Sequence, residues 1–279
     1  MTVSELFQNG LSLLKEKGIE NCKNEAVWIF EDVFECKRDY LIFRGNDEAD
    51  ETKAARFIEK INQRASGIPV QYVIGSWDFY GESFYVGEGV LIPRPETELL
   101  VDFALDYLKD KENPVVFDLC AGTGCIGLTV AKNRPDATVY LVEKSPDAFC
   151  YLEKNLHKFG CNNANLVCGD ILNGYEAFDL PKPDLILSNP PYIETAEIET
   201  LQSEVHYEPV MALDGGEDGY MFYEAIAEKW IDYCDAVAVE CGEGQADKVK
   251  ELFSCVFADV YSVTDFNGIE RTVIGRKDK

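Results

Sequence analysis

"VVFDLCAGTGCIGLTVA", Val115 to Ala131, reads as a strand, a glycine-rich turn and the start of a helix. Val115, Val116, Phe117 and Leu119 supply the apolar strand. Gly122, Gly124 and Gly127 fit G-x-G-x-x-G, in which glycines allow a tight turn and let a ligand approach the backbone. Glu143 ends the next apolar run, about 20 residues on, where an acid receives ribose hydroxyls. At this point a dinucleotide enzyme and a purely structural turn both remain open.

Working outward, short apolar strands recur at 138–142, 165–168, 184–187 and 236–239, separated by helical patterns. Alternating strands and helices imply an α/β fold, with a mostly parallel sheet covered by helices on both faces. Upstream, residues 1–75 read as a small helical bundle. Thr2 and Glu5 have capping-box spacing, and Leu6, Phe7, Leu11, Leu13 and Leu14 fall near one helix face. "NEAVWIFEDVFE", "RDYLIF" and "DETKAARFIEKINQRASG" continue the pattern. "SWDFYGESFYVGEGVLIP" alternates between glycines and reads as a β-hairpin linker over 76–96. The third segment runs over 97–279.

No apolar run approaches the ~20 residues of a membrane span, and the acidic start does not resemble a signal peptide. No membrane partner is expected. Ten cysteines without such a leader suggest a reducing, cytoplasmic setting. With no Cys-x-x-Cys pair and only His157 and His206, no metal site is expected. The net charge of −25 is uneven, with −3 on residues 1–75 and −22 on the remainder. An acidic body has no counterion-release gain with nucleic acid, so direct nucleic-acid binding is not expected. It suits a basic protein partner.

Two further acids bear on the glycine loop. Asp118 precedes the turn, and Asp170 follows the 165–168 strand. With Glu143 they place three carboxylates at the carboxyl edge of the sheet. Such an edge would repel a pyrophosphate and attract a sulfonium cofactor with an ammonium group. This pattern resembles the class I S-adenosylmethionine-dependent methyltransferases, which implies a Rossmann-like domain with a mostly parallel seven-stranded sheet. It also implies that Asp118, Ala121, Gly122, Thr123, Gly124, Glu143, Lys144, Asp170, Ile171 and Asn189 hold the cofactor. Glu143 would take the ribose hydroxyls and Asp170 the adenine amino group. S-adenosylhomocysteine would be the product.

"LILSNPPYIE", Leu185 to Glu194, is an apolar strand that ends on an amide, two prolines and a tyrosine. It would face the cofactor's methyl group, since ligands in such sheets sit beyond the strand ends. Proline fixes φ and holds Asn189 extended. The Asn189 side-chain oxygen and the Pro190 carbonyl are then two fixed acceptors for a planar –NH2, with Tyr192 able to stack on it. A carboxamide or a base amine would fit. Catalysis would come from orientation and polarisation.

"GIPVQYVIG", "LIPRPETE", "SNPPYI", "EPVMALDGGEDGYMFY" and "ECGEGQ" occur in that order. Together they resemble the peptide chain release factor glutamine-N5 methyltransferase family, HemK/PrmC, over nearly the whole chain. The resemblance implies methylation of the side-chain amide in the Gly-Gly-Gln motif of release factors, by a cytoplasmic monomer whose helical domain recognises substrate. Asn189, Pro190 and Tyr192 match the family's catalytic positions. Pro191 with Arg94, Pro95, Glu96 and Thr97 matches its substrate border. Cys120 and Cys125 stand where the family usually has Gly or Ser, a change expected to affect packing more than contacts. A nucleic-acid amino-methyltransferase using the same tetrapeptide would need a basic binding region, and a silent scaffold would not need the intact site residues.

Overall fold

The computed structural model describes residues 1–277. The chain forms two compact units, one of residues 1–77 with 202–207, the other of 78–201 and the chain from 208 onward.

The first unit is helical: α1 (Val3–Glu16), α2 (Cys22–Phe34), α3 (Tyr40–Arg44), α4 (Glu51–Ala65) and α5 (Val70–Ile74). α1 starts on a complete capping box between Thr2 and Glu5. Leu6, Leu14, Phe30 and Phe57 form its centre, while Leu11 and Leu13 are only half-buried. They therefore flank the apolar stripe instead of lying in it. α1 and α4 pack closely enough that a Cβ on Gly10 would sit 2.7 Å from the Phe57 ring. Arg64 is buried and bonds the buried Glu25 and also Glu204, on the 202–207 segment.

The hairpin at the boundary is shorter than its sequence suggests. It comprises β1 (Ser76–Phe79) and β2 (Glu82–Tyr85), joined by Tyr80 and Gly81, both at positive φ as a two-residue hairpin turn requires. From Val86 to Pro93 the chain is irregular.

The second unit continues with α6 (Glu98–Leu108), β3 (Val115–Leu119), α7 (Cys125–Asn133), β4 (Thr138–Glu143), α8 (Pro146–Phe159), β5 (Ala164–Cys168) and β6 (Leu185–Ser188). Then come α9 (Met221–Lys229), β7 (Ala236–Glu240), α10 (Ala246–Phe253), β8 (Asp259–Thr264) and β9 (Glu270–Arg276). The strands form a seven-stranded sheet in the order β5-β4-β3-β6-β7-β9-β8. The first five strands are parallel, and β9 and β8 add an antiparallel edge. Strand period sorts the central side chains onto two faces. Val116, Leu185, Leu187 and Ala238 enter one core layer, and Phe117, Leu119, Ile186 and Val239 the other. Burial on both faces explains why these strands are continuous apolar runs. The chain moves outward from β3 to β5, then returns to β6 on the other side of β3. That reversal opens a crevice at the carboxyl ends of β3 and β6.

Candidate functional site

The glycine turn forms one wall of the crevice. Gly122 and Gly124 have φ of 56° and 80°, a region that costs glycine little. A Cβ on Gly124 would lie 2.4 Å from Leu152, and one on Gly127 would lie 2.9 Å from Asp118 Oδ2. The third glycine therefore admits a carboxylate, which accepts the Gly127 N–H at 2.8 Å. Cys120 also has positive φ, 61°. Its presence thus has a backbone consequence as well as a packing one, a strain of about 1–2 kcal/mol that glycine would not carry.

The three carboxylates do not form an open acidic edge. Asp118 is wholly buried behind the turn, and its Oδ1 has no hydrogen-bond partner among the described residues. Burial pushes its carboxyl up to about 7, against the pull of the Gly127 N–H. Glu143 lines the crevice, accepting from Gly122 N at 2.8 Å and Ser145 N at 2.6 Å. Burial raises its carboxyl, and these N–H groups oppose the rise. Asp170 lines the crevice too, with Lys144 Nζ at 2.9 Å and the Leu172 N–H at 3.0 Å. Burial raises this carboxyl, but Lys144 and Leu172 outweigh it and leave it below its ordinary range. So the repulsion of a pyrophosphate inferred from three exposed acids is weaker than the sequence suggested: one acid is hidden and one is paired.

Ala121, Gly122, Thr123, Lys144 and Ile171 line the same crevice, as do Val90 and Ile92. Ile171 is fixed by its carbonyl, which accepts from the buried Trp230 indole at 2.8 Å. Gly124 sits one step behind, at the start of α7.

Asn189 and Pro191 also border the crevice, as does Thr97. Asn189 Nδ2 donates to Thr97 Oγ1 at 3.2 Å, and Thr97 donates its one hydroxyl hydrogen to Glu240 Oε2. The Asn189 Oδ1 has no donor among the described residues, so it remains an acceptor for a ligand. Pro190 is buried and Tyr192 mostly so, neither lining the crevice. Tyr192 Oη donates to Glu240 Oε1 at 3.4 Å. Burial and the Glu240 charge push its phenol well above the usual range. Burial also pushes the Glu240 carboxyl up to about 7, against the Thr97 hydroxyl.

The substrate-border segment divides in two. Thr97 is buried within the site, whereas Arg94 pairs with the buried Glu208, and Pro95 and Glu96 lie outside the crevice lining. The glycine run after Leu213 proves structural. Ile193 and Asp214 form a parallel bridge, and Cβ atoms on Gly215 and Gly219 would lie 2.7 Å from Tyr192 Cα and 2.6 Å from its carbonyl oxygen. Gln245 donates to that carbonyl at 2.9 Å. Gln245, Glu208 and Gly215 carry no local signature of these contacts, although all three lie in the motifs quoted from the sequence.

Residues 5–75 match the PrmC N-terminal domain, and residues 97–212 the methyltransferase small domain. The release factor glutamine methyltransferase of Geobacter sulfurreducens is 38% identical over 99% of this chain and 96% of its own. That of Bacillus cereus is 34% identical over the full length of both. The chain belongs to the release factor glutamine methyltransferase family. Solved structures agree on fold beyond the family. The hMettl16 catalytic domain, in complex with MAT2A 3′UTR hairpin 1, superposes with a TM-score of 0.59 at 12% identity, over 88% of this chain and 90% of that one. For a release factor glutamine methyltransferase the geometry is chemically apt: a largely apolar crevice lined by a glycine turn, by the Glu143 carboxylate and by the Asn189 amide.

Proposed function

We propose that the chain methylates the side-chain amide nitrogen of the glutamine in the Gly-Gly-Gln motif of peptide chain release factors, with S-adenosylmethionine as donor. The observation that carries this reading is the amide of Asn189. Its nitrogen is occupied by Thr97, so its oxygen is offered to an incoming –NH2. The crevice fits the cofactor. Glu143 offers a nearly buried carboxylate for ribose hydroxyls, Ile171 an apolar surface for a planar base, and Gly122 a backbone without a side chain in the way. Thr123, Gly124, Lys144, Ala121 and Asp170 complete that set, with Asp118 acting from behind by holding the Gly127 N–H.

When bound, the cofactor supplies an electrophilic methyl group on a sulfonium sulfur. The protein's part is orientation. Asn189 Oδ1, at the crevice border, accepts one amide hydrogen of the substrate and so orients a poorly nucleophilic nitrogen; Pro190, buried beside it, keeps that residue extended. Pro190 and Pro191 hold that loop rigid, and Tyr192 anchors it to Glu240. Arg94, Pro95, Glu96 and Thr97 form the substrate's border, with Arg94 locked by Glu208. The helical unit of residues 1–75 recognises the release factor, in the cytoplasm and as a monomer. The strong acidity of the remaining chain favours a basic substrate domain over nucleic acid. The test is transfer of a labelled methyl group from S-adenosylmethionine to a purified release factor, beside one with alanine in place of the motif glutamine. Label on the first alone is expected. Equal label on both would contradict the assignment.

A further inference from the structure

Asn189 can accept from a substrate amide only if its own amide is held the right way round. An asparagine side chain can rotate by half a turn with little change in shape, exchanging its acceptor for two donors. Something must choose between the two orientations. The choice is made by a side chain on a different strand.

Glu240 ends β7, the neighbour of β6, and the register pairs Ser188 with Val239. The next residues, Asn189 and Glu240, therefore lie side by side at the carboxyl edge of the sheet, where Glu240 still pairs with Thr272 of β9. Glu240 is 1% exposed. Its position is fixed through its own carbonyl, which accepts from Tyr223 Oη at 3.0 Å. Its two carboxyl oxygens accept from different partners, Oε2 from Thr97 and Oε1 from Tyr192. Thr97 has a single hydroxyl hydrogen. While Glu240 is ionised that hydrogen goes to the carboxylate, the Thr97 oxygen accepts from Asn189, and Asn189 presents its nitrogen.

We propose that Glu240 is a positioning residue which, through Thr97, fixes the orientation of the Asn189 amide and so selects a substrate –NH2 over a carboxylate. The same carboxylate fastens Tyr192, so one buried group sets both ends of the Asn-Pro-Pro-Tyr loop. A reversed Asn189 would present donors to the substrate and would favour glutamate where glutamine should bind. The inference rests on the proposed function.

Full-length protein is assayed with a purified release factor and S-adenosylmethionine, as wild type and as Thr97→Val, Thr97→Ser and Glu240→Gln. Single-turnover rate is measured first. The second readout is inhibition by a release factor with glutamate in place of the motif glutamine, relative to the affinity for the glutamine form. Thr97→Val removes the relay, and Glu240→Gln turns one of the two acceptors into a donor, so that Thr97 and Tyr192 can no longer both donate to it. Both are expected to slow transfer about tenfold or more and to shift preference toward the glutamate form. Thr97→Ser keeps the hydroxyl and is expected to restore both rate and preference. Calorimetric cofactor affinity, expected unchanged, reports that each variant is folded. Unchanged preference in Thr97→Val and Glu240→Gln, at whatever rate, overturns the inference while leaving the function standing. A wild-type enzyme that does not methylate the glutamine form overturns both.

Discussion

The Asn189 amide nitrogen lies 3.2 Å from Thr97 Oγ1, although 92 residues separate the two in the chain. The contact joins the loop after β6 to the turn before α6, and it leaves the Asn189 oxygen available. Asn189→Ala should therefore lower kcat by roughly 10²–10³, by analogy with the loss of one oxyanion-hole donor. Cofactor affinity should barely change. Asn189→Asp keeps an acceptor oxygen and should retain part of the activity. Rapid-quench methyl transfer checks both, and a wild-type rate in Asn189→Ala would remove the residue from the mechanism.

Glu143→Ala should weaken S-adenosylmethionine binding by about 1.5–3 kcal/mol, the worth of a hydrogen bond to a charged group. The Gly122 and Ser145 N–H groups that Glu143 holds would lose their partner too. Glu143→Gln should bind cofactor better than Glu143→Ala, because one oxygen can still accept. Isothermal titration of the two variants decides the matter, and equal affinities would argue against the assignment.

Asp118 predicts a pH dependence of stability. Its carboxyl is raised to about 7 in the fold from its ordinary value of 3.8, because burial disfavours the charge. The folded protein thus holds a proton that the unfolded chain has released. The contribution of Asp118 to stability is full below about pH 4 and declines as pH rises through 7. Asp118→Asn removes this slope. Its stability relative to wild type should improve steadily between those limits and level off above. Urea midpoints across that range are the measurement, and a constant difference would mean that Asp118 does not titrate there.

Gly215→Ala places a Cβ 2.7 Å from Tyr192 Cα. Backbone cannot move aside as a flexible side chain can, so the loop must shift. About 1–3 kcal/mol of stability should be lost, and methyl transfer should fall with it. Gly18→Ala offers the control: no atom lies within 4 Å of the added Cβ, and only the positive φ penalises it. Its transfer rate should stay near wild type. Equal losses of transfer in the two variants would place Gly215 outside the site.

Much of the architecture was legible because the central strands are buried on both faces. Val115–Leu119 is apolar but for Asp118, and Ala236–Glu240 is apolar up to its last residue; the glycine turn marks where the first of them meets a helix. The last two strands were not legible from residues alone. Every residue of β8 is at least partly exposed, and it pairs only at the sheet edge, so neither an apolar run nor a clean alternation marks it. The hairpin was over-read because Gly87 and Gly89 lie in irregular chain, where a Cβ on either would meet Tyr151 or Asp147. Residue type pointed to Asn189 and Glu143, and both line the crevice. It could not reveal that Asp118 faces away, that Lys144 covers Asp170, or that Glu240 meets Thr97 across 143 residues. Those are consequences of register between distant strands and turns, which no local pattern encodes.

The most direct test of the account is fragment-resolved mass spectrometry of a release factor after incubation with this enzyme and S-adenosylmethionine. The expected result is a single added methyl group on the side-chain amide of the motif glutamine, formed more slowly by roughly a hundredfold or more when Asn189→Ala replaces the wild type. A methyl group on any other residue, or an unmodified release factor with fully folded, cofactor-binding enzyme, would contradict it.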